Sequence, residues 1–159
     1  MKRRRMNRGL LWMAVLCLMT VIFAFSAQHG TASDEMTSVA VMPLVEMMAS
    51  MQEGDTMAAI DICYSIVGTI VRKLAHVCEY ALLGYLVHQL MCTYGLRIRW
   101  LPILFCVAYA VTDEIHQAFV PGRSGRATDV LIDSVGVFAG VYAPAALLAV
   151  RQKLHNPKR

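Results

Sequence analysis

Apolar residues gather in four runs along the chain, and the polar residues between them form three connections of very unequal length. The first run, GLLWMAVLCLMTVIFAFSAQ, occupies residues 9–28 and carries no charge. A helix of about 20 residues crosses a hydrocarbon core of about 30 Å, so this run is long enough to span a bilayer. The second, at about 66–94, begins IVGTIVRKLAHVCEYALLGYLV; the third, RWLPILFCVAYAVTDEIHQAFV, is 99–120; the fourth, DVLIDSVGVFAGVYAPAALLAV, is 129–150. Isolated strands in lipid would leave backbone N–H and C=O groups unpaired, so each run is predicted to be a helix. The expected fold is all-α, a polytopic four-transmembrane-helix bundle over residues 9–150 between a basic N-terminus (1–8) and a basic tail (151–159). Residues 29–65 form an amphipathic or irregular loop after the first helix. Within it TSVAVMPLVEMMASM suggests a short interfacial helix, interrupted at Pro43. A cleaved signal peptide would need a small-residue site near Ala24 to Ala27; Phe25 breaks that pattern, and the first helix is read as retained.

Composition agrees with a lipid environment. Hydrophobic residues make up 57% and charged residues only 16%, with a mean hydropathy of +0.51. A soluble domain is about half apolar and about a quarter charged. The net charge of +4 comes mainly from the termini, MKRRRMNR and RQKLHNPKR, with Arg97 and Arg99 between the second and third runs. If all four helices cross, these three basic segments share one side, which the positive-inside rule makes cytoplasmic. Both termini are then inside, and the acidic first loop and the turn at 121–128 are outside. Basic residues are not interleaved with aromatic ones, which excludes nucleic acid as a partner. Of the five cysteines none forms a CxxC pair, and four lie in apolar runs, where a thiol packs as a small hydrophobe. They suggest neither a zinc site nor another cofactor, and the eleven methionines read as filler.

Ionisable groups inside a membrane span are expensive, and here nearly all fall in one layer, toward the external end. Residues three, four or seven apart share a helix face. Lys73, His76 and Tyr80 form a stripe on the second helix with Glu79 at its border. Tyr109, Asp113, His116 and Gln117 form one on the third, with Glu114 to one side. On the fourth, Asp129, Asp133, Gly136 and Gly140 align, the glycines as a GxxxG that permits close helix approach. Arg123 and Arg126 lie in the external turn, and Ser26 and Gln28 close the first helix on the same side. His76, Glu79, Asp113, His116 and Asp129 are the candidate catalytic residues, as one mutually contacting acid–base set, because a carboxylate beside an imidazole fixes its tautomer and raises its basicity. Lys73, Tyr80, Glu114, Gln117, Arg123, Arg126, Asp133 and Gln28 are the candidate ligand-binding residues, with the guanidinium groups suited to phosphate or carboxylate. The simpler alternative is that these charges pair only to hold the helices together. Divalent-metal ligation would use the same residues, but the spacing reproduces no strong signature such as HExxH, and no metal ligands are assigned.

In order along the chain stand RKLAHxxEY, DExHQxxxPGRSGxxxD and DSxG, at Arg72, Lys73, His76, Glu79 and Tyr80, then Asp113, Glu114, His116, Gln117, Pro121, Gly122, Arg123 and Asp129, then Asp133. In these motifs the last three helices resemble the VanZ-like family of small bacterial membrane proteins, and FSAQHG resembles the family's usual end to the first helix. One departure is Asp133, where many relatives carry Asn. The resemblance implies a multi-pass protein of the bacterial cytoplasmic membrane with a role at the cell envelope. The family's namesake is associated with resistance to the glycopeptide teicoplanin, whose target is an outward-facing lipid-linked wall precursor. It names no reaction. Three functions are therefore weighed: an enzyme acting on an anionic lipid or lipid-linked headgroup, a binding or scaffold protein without chemistry, and a small transporter. The apolar cytoplasmic halves of the helices disfavour the last, which needs a polar path to both faces.

Overall fold

The computed structural model describes residues 7–28, 38–39, 41–43, 45–47, 50, 56–123 and 125–155, and only the backbone of 56–61 and 63. Within these the chain is helical, without a strand. Four helices have defined bounds: α1 (Arg8–Ser26), α2 (Thr56–Thr93), α3 (Trp100–Ala118) and α4 (Ala127–His155). The basic residues at 2–5 and at 158–159, and the loop acids Asp34, Glu35, Glu53 and Asp55, lie outside the described residues. In the first connection, residues 38–39, 41–43 and 45–47 are helical, with Val41 and Val45 buried and Val39, Met42 and Met47 exposed.

The helix boundaries follow local chemistry. The Asn7 side chain caps α1 by accepting the backbone N–H of Gly9 at 3.1 Å, satisfying one of the orphan donors of the first turn. Pro102 falls in the first turn of α3, where its missing N–H costs nothing. Helix α2 ends in a Schellman motif: Gly95 takes a left-handed φ of 83°, its N–H bonds the Cys92 carbonyl and that of Leu96 bonds the Met91 carbonyl. Two expected boundaries need correction. Helix α2 begins at Thr56 rather than near residue 66, giving 38 residues; the segment from Thr56 to Ser65 follows an acidic stretch and carries Asp61 and Ser65, but it is otherwise mostly apolar and contains neither Gly nor Pro to stop a helix. Helix α4 continues to His155, through basic residues expected to form a separate tail.

The core is a single stripe from each helix. Leu11, Val15 and Ile22 of α1 meet Tyr80, Leu83, Val87 and Leu90 of α2, Cys106 and Ala110 of α3, and Val137 and Val141 of α4. Helix α2 contacts all three others, most extensively α4. The two run parallel, and at Gly136 and Gly140 their backbones touch. A Cβ at Gly140 would fall on the Ala81 carbonyl oxygen, and one at Gly136 on that of Val77. The outward faces stay apolar, with Leu10, Met13, Leu74, Leu82, Leu104, Ile115, Leu131 and Val135 all exposed. By length and composition α1 and α4 are apolar enough to cross a membrane.

At one end of the bundle the helices are tied by basic and aromatic groups. Arg8 donates to the Thr93 carbonyl at 2.6 Å and lies over the Tyr94 ring. Trp12 donates to the Tyr94 hydroxyl at 3.1 Å, and Arg99 lies over Tyr142. The ionisable groups of interest collect at the opposite end.

Candidate functional site

At that opposite end, a cavity of about 250 Å³ opens between α2, the C-terminal turns of α3, the following loop and the start of α4. Thr69, Arg72, Lys73 and His76 line it from α2, a set spaced for one helix face. Glu114 and Gln117 line it from α3, Gly122, Arg123 and Arg126 from the connection, and Asp129, Ile132 and Asp133 from α4. Gly122 has a φ of 79°, a left-handed conformation that turns the chain back over the cavity. Gly125 lies so close to Ala118 and the Glu114 carbonyl that a Cβ would come within 2.9 Å of both.

Charges inside the cavity are partly matched. Lys73 Nζ donates to Asp129 Oδ1 at 2.8 Å, joining α2 to α4. Glu114 Oε1 accepts the backbone N–H of Arg126, which fixes the loop to α3. His76 Nδ1 stands 3.8 Å from Asp133 Oδ1, and Asp133 is almost wholly buried. Arg123 borders the cavity, yet its Nη1 donates to the carbonyls of Phe25 (3.2 Å) and Ser26 (2.9 Å), capping the C-terminal end of α1. Part of the role expected for Arg123 as an anion ligand is therefore taken by a strut to α1.

Behind the cavity lies a second, drier cluster. Asp113 Oδ2 accepts the Ser26 hydroxyl at 2.8 Å, the Gln117 amide at 3.2 Å and, at 3.5 Å, the Tyr80 hydroxyl. Gln117 also donates to Ser26 Oγ at 3.0 Å. Asp113 Oδ1 is buried without a hydrogen-bond partner among the described residues. Nearby, Tyr109 donates to the Met19 carbonyl at 2.6 Å, a further tie between α1 and α3.

The expected catalytic set is divided. His76 and Asp129 line the cavity, while Asp113 belongs to the dry cluster with Tyr80 and Ser26. His116 stacks on Phe23, ring centres 4.3 Å apart, and does not line the cavity; nor does Glu79. Helical phase explains the split. Successive residues turn by about 100°, so Glu114 and His116 point to nearly opposite sides of α3. The stripe drawn through His116 should have passed through Glu114. Of the expected ligand-binding residues, Lys73, Glu114, Gln117, Arg123, Arg126 and Asp133 line the cavity; Tyr80 and Gln28 do not. At the end of α1 it is Ser26 that enters the polar cluster. Thr69 and Arg72 were not among the expected site residues; their spacing of four and three from Lys73, His76 and each other marks them as members of the same face. Among the described residues no group of three His, Cys, Asp or Glu side chains is arranged to hold a metal ion.

A family model described as VanZ/LLP1 matches residues 11–148. The chain belongs to the VanZ/LLP1 family. That match covers all of α2 and α3, most of α1 and α4, and every cavity-lining residue, so the cavity is built from the part of the chain the family defines. No curated protein and no solved structure matches this VanZ/LLP1 member.

Proposed function

We propose that all four helices of this VanZ/LLP1 protein cross the bacterial cytoplasmic membrane and that the cavity, at the outer-leaflet side, binds the anionic part of a lipid or lipid-linked headgroup. The observation that carries the reading is the cavity itself: Arg72, Lys73, Arg123 and Arg126 converge on one space at the end of a bundle whose outward faces are apolar. Helices α2 and α3 carry more charge than a plain spanning segment, but Lys73, His76, Asp113 and Glu114 turn toward other helices. Inward-facing charge of this kind marks functional sites in membrane bundles. Thickness also agrees. The 19-residue α1 and α3 are each about 28 Å long, close to a hydrocarbon core. They run between the basic–aromatic end, suited to a cytoplasmic interface, and the cavity.

Size narrows the ligand. At about 250 Å³ the cavity is below the roughly 300–1,000 Å³ of sites that enclose drug-sized molecules. A phosphate or carboxylate with its immediate substituents fits such a space, and the rest of a wall precursor would stay outside. Acid–base chemistry on the bound headgroup is a second reading, favoured by His76 facing Asp133 within the cavity. The test is mass spectrometry of lipids copurified in mild detergent with the native chain and with Arg126→Ala. The native protein is expected to retain an anionic lipid that the variant loses. Retention of no lipid by either protein, or of the same lipid by both, overturns the proposal. If His76→Gln keeps the lipid but loses the cellular function, catalysis is favoured over simple binding.

A further inference from the structure

The cavity is polarised along its depth. Helices α2 and α4 run parallel with Lys73 level with Asp129 and His76 level with Asp133, one turn farther from the loop. Arg123 and Arg126 belong to the loop over the mouth. At the level of Lys73, charge is already matched: the ammonium holds Asp129 at 2.8 Å. Glu114 is occupied by the Arg126 backbone N–H. Asp133 differs. It is 3% exposed, lines the cavity, and receives no hydrogen bond from any described residue. Its nearest partner, His76 Nδ1, is 3.8 Å away, too far for a hydrogen bond. A buried carboxylate with no donor at hydrogen-bonding distance is an expensive arrangement that a cationic donor reaching it would relieve.

We infer that the ligand is amphoteric: an anionic group held by the guanidinium groups at the mouth, and a primary ammonium held by the Asp133 carboxylate at the floor. This rests on the anion-binding reading above and adds the substrate class. The carboxylate requires N–H donors, so a primary ammonium satisfies it where a quaternary ammonium supplies charge alone. A phosphate ester of an amino alcohol has this form, whether as a lipid headgroup or as a free molecule.

The test uses the full chain in mild detergent and compares binding of short-chain phosphatidylethanolamine and phosphatidylglycerol with identical acyl chains. Phosphatidylethanolamine is expected to bind at least about tenfold more tightly, the gain of one charge-assisted contact. Asp133→Asn is expected to remove most of that preference while phosphatidylglycerol still binds. The wild-type comparison stands alone should the variant fail to fold. Equal or tighter binding of phosphatidylglycerol overturns the amphoteric assignment and leaves the anion site standing. Saturable binding of neither lipid, nor of free phosphoethanolamine, overturns both. If free phosphoethanolamine displaces the lipid at equal concentration, the amphoteric site is supported with a soluble ligand; if only the lipid competes, it is supported with a lipid one.

Discussion

Replacing Arg123 by Lys and by Ala should separate two roles of one side chain. In the structure a single nitrogen, Nη1, donates to both Phe25 and Ser26 carbonyls, at 3.2 and 2.9 Å, while the side chain also borders the cavity. Hydrogen bonds from a charged donor contribute about 1.5–3 kcal/mol each when well formed, and less where exposed. The Phe25 bond is exposed and the Ser26 bond part-buried, so Arg123→Ala should cost about 2–3 kcal/mol in stability. A lysine ammonium also places several donors on one nitrogen and can keep much of the strut, so Arg123→Lys should cost less than about 1 kcal/mol. It cannot copy the planar fork that grips an anion in a bidentate way, so headgroup binding should fall in both variants. The assay pairs thermal unfolding in detergent with lipid-binding titration on the same samples. Equal loss of stability in the Lys and Ala variants, or no loss in either, would refute the strut. Full binding by the Lys variant would remove Arg123 from the anion site.

Alanine at the glycines of the α2–α4 crossing should destabilise in the order Gly84, Gly136, Gly140, least to most. An added Cβ meets the Val137 carbonyl oxygen at 2.8 Å at the first position and lies closer still to backbone at the others; overpacking of this kind costs about 1–3 kcal/mol, and equal melting temperatures across the series would contradict it. Ser26→Ala and Gln117→Leu should be non-additive, with a coupling of about 0.5–3 kcal/mol, because both donate to the same Asp113 oxygen; an additive double mutant refutes the shared cluster. His116→Gln should lower stability through its lost stack on Phe23 while leaving headgroup binding within about twofold, whereas His76→Gln should weaken binding; the reverse pattern in a titration refutes the division. In a cysteine-free background, Pro121→Cys should react with an impermeant reagent added to intact cells and Arg97→Cys should not; labelling at 97 alone would invert the topology.

The apolar runs made four helices legible, because a stretch of about 20 predominantly apolar residues has few alternatives. The start of α2 was not legible, since Asp61, Tyr64 and Ser65 look like loop composition, although nothing between Thr56 and Ser65 breaks a helix. Clustering of the charges at one end was likewise readable from their positions, but their division into a cavity and a dry cluster was not. That division depends on the rotational phase of α3: Glu114 and His116 lie about 160° apart around the helix, so only one of them can face α4. No local pattern fixes that phase when both sides of a helix carry polar groups. Arg123 is a similar case: its motif suggested an anion ligand, whereas its bonds to Phe25 and Ser26 require knowing where α1 ends in space.

The length of α2 has a mechanical consequence. It is one unbroken 38-residue rod, clamped to α4 where Val77 and Ala81 meet Gly136 and Gly140. That clamp is a fulcrum, with Thr56 about 35 Å away and Lys73 about 9 Å away along the same arm. A tilt of about 5° would swing the far end by about 3 Å and Lys73 by about 0.8 Å, enough to stretch the 2.8 Å link between Lys73 and Asp129 beyond hydrogen-bonding range. Whatever presses on the first turns of α2 therefore works the mouth of the cavity as a lever.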